Sequence, residues 1–152
     1  MAELLNWAMK DIILRIIGNQ LHGLEGTSED GMEFITEGRF IKKGDAMYLI
    51  YEESELSGVE GYTTSVKVTG EKVRMKRYGE EGGVQTAIEF EKGRKFTGWY
   101  ETPFGTVAIE VFTNKVDNRL DPDGAGTLGI DCSVSLKGLT ESRNLLRFEI
   151  VQ

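Results

Sequence analysis

The chain has 152 residues, of which 39% are hydrophobic and 28% are charged, and these proportions are typical of one globular domain with its own core. The net charge of −7 at pH 7 repels phosphate backbones, which argues against nucleic acid as a partner. The one cysteine, Cys132, excludes an intrachain disulfide and indicates a reducing compartment. Every apolar run is shorter than the roughly 20 residues that span a bilayer. We therefore expect no membrane association and a cytoplasmic, single-domain protein over residues 1–152.

The N-terminal segment carries two competing patterns. Apolar residues between Leu4 and Ile17 recur at helical spacing and would form one stripe of a helix. The four isoleucines between positions 12 and 17 are β-branched, however, and favour a strand. We therefore predict an N-terminal tail over residues 1–9, or a short helix within it over residues 2–8, followed by a strand over residues 10–20.

The rest of the chain alternates apolar and polar side chains, as a strand with one buried and one solvated face requires. In the clearest stretch, Leu128, Ile130 and Cys132 alternate with Gly129 and Asp131. Ten strands are predicted, at residues 10–20, 32–36, 46–53, 62–68, 72–77, 84–90, 95–101, 105–114, 127–138 and 142–151. The glycine-rich stretch 21–31 and the aspartate-rich stretch 117–126 are predicted to be loops.

Short strands that follow one another through tight turns are usually neighbours in one sheet. A sheet of this size tends to curl and close, because closure removes its exposed edges. We therefore predict an all-β protein that forms a single antiparallel up-and-down β-barrel of about 8–10 strands. A β-sandwich is the second interpretation.

Several short motifs occur in a fixed order through the middle of the chain. They are Tyr51-x-Glu53, Leu56-Ser57-Gly58, Thr64-x-x-Lys67-Val68, Val73-x-Met75-x-Arg77-x-Gly79, Phe90-x-x-Gly93, Tyr100-x-Thr102-x-Phe104-Gly105, Thr113 and Gly126. In these motifs the chain, from about Asp11 to its C-terminus, resembles the YwiB-like calycin-type β-barrel proteins, a bacterial family of unknown function. The resemblance implies a calycin-like barrel of the lipocalin or streptavidin type and implies no activity. Cys132 stands where we expect tyrosine in such relatives, which implies a smaller or more apolar cavity if that tyrosine lines the lumen.

Two charged residues share the apolar parity of their predicted strands, close to the strand ends. Glu53 shares its parity with Tyr51, and Arg77 shares its parity with Met75. If the apolar faces line the barrel interior, the Glu53 carboxylate and the Arg77 guanidinium both point inward, where a charge needs a partner. They are candidates either for polar anchors of a ligand at the barrel mouth or for a structural ion pair. Tyr51 and Tyr100 are candidates for an aromatic lining of that mouth.

No catalytic or metal-binding motif is evident in the sequence. His22 is the only histidine, and it has no acidic or cysteine partner at ligand spacing. The segment Asp121-x-Asp123-Gly124 matches part of a calcium loop, but Arg119 and Ile130 occupy positions that must carry carboxylates. We therefore predict no cofactor and no metal, and we do not expect an enzyme.

Three functions are open at this point. The first is a non-enzymatic binding module that holds a small, partly apolar ligand at the barrel mouth through Tyr51, Glu53, Arg77 and Tyr100. The alternative is a protein-interaction or structural module with a filled barrel, which acts through its outer face as a homo-oligomer, with a homodimer as the commonest form. Its candidates are the apolar residues of outward parity, Ile35, Tyr48, Ile50, Trp99 and Phe112. An enzyme of unknown class is the third.

Overall fold

The computed structural model describes residues 7–22, 27–52, 61–79, 84–102, 105–136 and 140–151. These residues form β-strands and turns. The strands are β1 (Trp7–His22), β2 (Thr27–Lys43), β3 (Ala46–Glu52), β4 (Thr63–Thr69), β5 (Lys72–Tyr78), β6 (Val84–Glu91), β7 (Lys95–Thr102), β8 (Gly105–Asp121), β9 (Ala125–Leu136) and β10 (Thr140–Ile150). The described residues include no helix of the length and hydropathy that crossing a membrane requires.

The ten strands form one antiparallel sheet in the order β6-β5-β4-β3-β2-β1-β10-β9-β8-β7. Consecutive strands pair with each other, with the exception of β6 and β7, and the first and last strands, β1 and β10, also pair. A turn joins β6 to β7, which stand at the two ends of this order. The Gly93 N–H donates to the Thr113 carbonyl oxygen (2.9 Å), and the Thr113 N–H donates to that of Arg94 (3.1 Å). These bonds tie the turn to β8 and nearly close the wall, so the predicted up-and-down barrel is confirmed.

Apolar side chains of inward parity fill the barrel interior. Solvent exposure is 1% for Phe40, 0% for Leu49 and 0% for Phe148. The ring of Tyr51 packs on that of Phe148, with 6.3 Å between the centroids and a tilt of 52°. Such an aromatic contact adds to the stabilisation that comes from apolar burial. Around these residues the interior is a packed core.

The loop predicted over residues 21–31 is mostly strand. Residues 21–22 end β1 and residues 27–31 begin β2. The two segments pair with each other, with a register shift between Gln20 and Leu21. Cross-strand pairing here overrides the local preference of glycine and acidic residues for a loop. Strand β1 also starts at Trp7, within the segment predicted as a tail or helix, and residues 2–6 lie outside the described residues.

The loop predicted over residues 117–126 is also shorter than expected. Strand β8 continues to Asp121 and β9 begins at Ala125, so only three residues form the turn. The Gly124 N–H donates to the Asp121 carbonyl oxygen (2.9 Å), and the Asp123 N–H donates to the Asp121 carboxylate (2.7 Å). The aspartates that suggested a long loop therefore stabilise one tight turn.

Candidate functional site

One inner row of the barrel contains polar side chains. The cross-strand register places Tyr51 opposite Thr64, Thr64 opposite Arg77, and Arg77 opposite Thr86. The row lies at the end of the barrel where β3 and β5 finish and where β4 and β6 begin. We call this end the mouth. The structure brings Tyr51 and Arg77 into the same layer of the mouth.

The two remaining candidates for a mouth site cannot be placed in the same way. Glu53 lies outside the described residues, and β7 includes Tyr100 but the side chain of that residue is also outside them. An ion pair between Glu53 and Arg77, and an aromatic lining from Tyr100, therefore stay predictions.

The layer below the mouth is closed by packed side chains. Tyr51 is 6% exposed and Thr64 is 1% exposed, whereas Arg77 is partly exposed. Leu49 and Val66, which follow inward on β3 and β4, are fully buried. A ligand at this end would therefore reach Arg77, and the buried layer of Leu49 and Val66 would keep it out of the lumen.

A groove of about 910 Å³ lies on the outer side of the wall. It forms where β2 separates from β3, because β3 pairs only with residues 38–43 of the longer β2. At Gly38 the two strands approach so closely that a Cβ atom would lie 2.7 Å from the carbonyl oxygen of Ile50. We call this the β2 groove. Its outward-facing lining residues are Asp11, Ile13, Ile35, Glu37, Arg39, Ile50, Glu52 and Thr63.

The β2 groove combines apolar and acidic side chains. Three of its outward-facing lining residues are isoleucines, of which Ile35 is 64% exposed. Three carboxylates, those of Asp11, Glu37 and Glu52, face one guanidinium, that of Arg39. The lining is therefore acidic by two charges at neutral pH, since −3 and +1 give −2.

A second outer groove, of about 410 Å³, crosses β8, β9, β10 and β1. An adjoining depression of about 240 Å³ shares Asp117, Gly129 and Arg147 with it. We call the two together the β9 groove, because Gly129 of β9 lies between Asp117 and Arg147 in the register. The remaining outward-facing residues that line it are Ile17, Asn19, Lys115, Arg119, Thr127, Asp131 and Leu145.

Two ion pairs hold carboxylates of the β9 groove. Arg143 donates two hydrogen bonds to Asp131, at 2.6 Å and 3.0 Å, and the Asn114 amide donates a third at 3.2 Å. The Arg143 hydrogen bond is the main reason that the pKa of Asp131 is lowered, although burial acts in the opposite direction. The Arg119 Nε–H donates to Asp117 at 3.1 Å. Asn114 can reach Asp131 because a β-bulge lies between Thr113 and Lys115.

Cys132 lies on the inner face of β9 and is 4% exposed. Burial raises the pKa of its thiol to about 12, and the nearby charge of Asp131 adds to that effect. The thiol is neutral at physiological pH and is therefore not an activated nucleophile. Its burial agrees with the alternation of apolar and polar residues in this strand.

Outward parity alone did not identify the grooves. Ile35 and Ile50 lie together in the β2 groove, whereas Trp99 and Phe112 are exposed on β7 and β8 and line neither groove. Sequence reasoning missed the role of Gly129. A glycine in a long strand is the signal that could have found it, since it often marks a place where something approaches the backbone.

No metal site is evident in the residues that the structure describes. Among residues 7–22, 27–52, 61–79, 84–102, 105–136 and 140–151, no group of three or more His, Cys, Asp or Glu side chains is arranged to hold an ion.

Comparison with known proteins places the chain by fold and family. The crystal structure of the YwiB protein from Bacillus subtilis is similar over 95% of this chain and 96% of that chain, with a TM-score of 0.70 and 22% sequence identity. No curated protein matches the chain significantly. Residues 17–147 match the family described as a domain of unknown function, DUF1934. This match covers most of the barrel, from β1 to β10, and the chain therefore belongs to the DUF1934 family.

Proposed function

We propose that this protein is a non-enzymatic interaction module that binds a basic, partly apolar segment of another protein in the β2 groove. The observation that carries the proposal is the position of this groove on the outer wall of a barrel whose interior is filled. A filled core favours recognition by the outer face over recognition inside the lumen. The neutral, buried thiol of Cys132 supports a role without covalent catalysis, and it suits the reducing environment of the cytoplasm.

The apolar part of the β2 groove comes from three strands. Ile13 of β1 lies opposite Glu37 of β2, and Ile50 of β3 lies opposite Arg39 of β2. Ile35 is the most exposed of the three isoleucines. A single exposed isoleucine is common on protein surfaces, but three along one concave surface suit the apolar side chains of a partner.

The charges of the β2 groove favour a basic partner over a second copy of this chain. The groove lining has a charge of −2 and the whole chain has a charge of −7. A homodimer through this surface would bring like charges together, which opposes association. A segment that carries Lys or Arg beside apolar residues would match both the carboxylates and the isoleucines.

Selection from a random 12-residue peptide display library on the immobilised full chain tests this proposal. We expect the recovered peptides to be enriched in Lys or Arg together with apolar residues. Ile35→Lys should weaken the best of these peptides by about tenfold or more in fluorescence anisotropy. Trp99→Lys is the matched control, because Trp99 is 66% exposed and lies outside the groove. It should leave the affinity within about twofold.

Two results would overturn the proposal. One is a set of peptides without a charge preference, and the other is an equal loss of affinity in both variants. A dimer in native mass spectrometry that Ile35→Lys dissociates and Trp99→Lys does not would assign the groove to a second copy instead. Thermal unfolding of both variants should match that of the parent protein, because both replaced side chains are exposed.

A small, partly apolar ligand at the mouth is the second candidate function. The inner polar row Tyr51–Thr64–Arg77–Thr86 supports it, because a partly exposed guanidinium in the same row as an aromatic ring suits a ligand with one polar end. Glu53 and Tyr100 complete this proposed site.

Native mass spectrometry of freshly purified protein tests the mouth site. We expect a small-molecule adduct that is lost when the protein is denatured. Arg77→Ala should abolish this adduct while the fold persists. If neither the native nor the denatured sample carries an adduct, a ligand at the mouth is excluded as a candidate function.

A further inference from the structure

We propose that the β9 groove binds a small amphiphilic anion, namely an organic carboxylate with an apolar body. The proposal is independent of the interaction module, since the β2 and β9 grooves share no lining residue. It rests on the shape of the groove at Gly129, on its apolar wall and on the arrangement of its charges.

The groove exists because position 129 has no side chain. A Cβ atom at Gly129 would lie 3.7 Å from the Cβ of Asp117 and 4.0 Å from the carbonyl oxygen of the same residue, which are ordinary contact distances. Gly129 also has no positive φ, unlike Gly124 and Gly126 in the same hairpin. The fold therefore does not require glycine here, and a larger residue would fill the floor of the groove.

The wall of the groove is apolar on its β1 and β10 side. Ile17 lies in the register row Asp117–Gly129–Arg147–Ile17, and Leu145 lies in the adjacent row Lys115–Asp131–Leu145–Asn19. The two apolar side chains are therefore diagonal neighbours beside the gap. The volume of about 410 Å³ is in the range of small-molecule sites.

The charges around the β9 groove are opposite in balance to those of the whole chain. Three cations line it, which are Lys115, Arg119 and Arg147. Two carboxylates also line it, those of Asp117 and Asp131. The lining has a charge of +1, since +3 and −2 give +1, in a chain with a net charge of −7. A locally positive depression on an acidic protein favours an anionic ligand.

Two of these cations, Lys115 and Arg147, are placed to bind an anion. Both carboxylates of the groove already have a partner, since Asp131 forms an ion pair with Arg143 and Asp117 forms one with Arg119. Arg147 forms a long ion pair with Glu149, since its Nη2 atom is 3.7 Å from that carboxylate, which is beyond hydrogen-bond distance. Lys115 stands opposite Asp131 and helps to lower the pKa of that carboxyl, but in the described part of the chain it forms no ion pair with a carboxylate. Lys115 and Arg147 stand on either side of β9, so a carboxylate above the gap can meet both.

Fluorescence titration with 8-anilinonaphthalene-1-sulfonate tests the site with an amphiphilic anion. We expect one bound dye per chain and displacement by decanoate but not by decan-1-ol. The uncharged analogue N-phenyl-1-naphthylamine, which keeps the aromatic body and lacks the sulfonate, should bind about tenfold more weakly or worse. The comparison separates recognition of the anion from general binding of apolar dyes.

Three variants locate the bound dye. Gly129→Leu should lower the affinity by about tenfold or more, because it fills the floor of the groove. Arg147→Gln should lower the affinity for the sulfonate dye by about tenfold and leave that for the uncharged dye unchanged. Ile35→Lys is the control in the β2 groove and should change neither affinity.

Several results would overturn the site. They are equal affinities for the two dyes, full binding by Gly129→Leu, or displacement by decanol as efficient as that by decanoate. If Gly129→Leu loses the native near-ultraviolet circular dichroism spectrum, Arg147→Gln decides alone, because that side chain is 56% exposed and its removal leaves the core intact. Failure here leaves the β2 groove proposal standing, and loss of peptide binding to the β2 groove leaves this one standing.

Discussion

The inner and outer faces of the same barrel wall carry different kinds of information. On the inner face, Leu49, Leu128 and Phe148 are completely buried, so this face determines stability. The outer face carries charged residues, exposed apolar residues and two grooves. Alternate residues of one strand belong to different faces, so stability and recognition can change independently along the same segment.

The two outer grooves differ from each other in charge. The β2 groove has a lining charge of −2, whereas the lining of the β9 groove has a charge of +1. They also differ in size: the β2 groove measures about 910 Å³, and the two parts of the β9 groove measure about 410 Å³ and about 240 Å³. The two proposals therefore predict ligands of opposite charge, a basic segment for the β2 groove and a small anion for the β9 groove.

The comparison of faces is sharpest on β10, where neighbouring positions face opposite sides. Phe148→Ala removes a ring that is fully buried and packed on Tyr51. It should lower the free energy of unfolding by about 3–5 kcal/mol. Leu145→Ala, on the outer face of the same strand, should lower it by less than about 1 kcal/mol. Urea denaturation followed by circular dichroism measures both values.

If Phe148→Ala and Leu145→Ala lowered the free energy of unfolding by similar amounts, the inner face would not contribute more to stability than the outer face. The slope of the free energy against urea concentration must stay constant for the two values to be compared.

Two glycines in β9 differ in whether the backbone requires a glycine at their position. Gly126 has φ +103°, and a Cβ atom there would lie 2.1 Å from the carbonyl oxygen of Arg119. Gly126→Ala should therefore cost about 2–3 kcal/mol of unfolding free energy. In Gly129→Ala the added Cβ atom would meet only Asp117, at ordinary contact distances, and the substitution should change the stability by less than about 1 kcal/mol. Thermal unfolding of the two proteins gives the comparison, and an equal loss would mean that Gly129 is a structural requirement.

Parity explains why the fold could be predicted. The alternation with Gly129 and Asp131 predicts that Leu128, Ile130 and Cys132 face the interior, and all three are buried. Local composition failed where polar residues occur on the outer face of a long strand. Asp117 and Arg119 suggested a loop, but they occupy outward positions of β8.

The grooves could not be predicted in the same way, because each depends on the register of several strands. Asp11, Arg39 and Ile50 become neighbours only when β1, β2 and β3 pair as observed. Gly129 becomes a gap only when Asp117 and Arg147 stand on either side of it. A sequence pattern with a period of two residues gives the face of a side chain but not its neighbours across the sheet.

Removal of a buried hydroxyl group should raise the free energy of unfolding, by less than Phe148→Ala or Gly126→Ala lowers it. Thr113 is 0% exposed, and among the described residues its Oγ1 has no hydrogen-bond partner. Burial of an unsatisfied hydroxyl is unfavourable, so Thr113→Val should raise the unfolding free energy by about 1 kcal/mol. Urea denaturation measures the change, with Thr64→Val as the comparison, because Thr64 is buried but has an interaction partner. A loss of stability in Thr113→Val would show that the hydroxyl has a structural role.

The buried thiol of Cys132, on the inner face, should make the stability of the chain depend on pH. Its pKa rises from an ordinary 9.0 to about 12 because burial disfavours the thiolate. The stability that comes from keeping it protonated is complete below pH 9, where the unfolded thiol is also neutral, and is lost as the pH rises towards 12. The chain should therefore lose about 1 kcal/mol between pH 9 and pH 10 in excess of a Cys132→Val variant. Urea denaturation of both proteins at the two pH values isolates this contribution, since lysines and tyrosines titrate alike in both. Parallel pH curves would mean that solvent reaches the thiol from the inner side, and the inner face would then not be closed at Cys132.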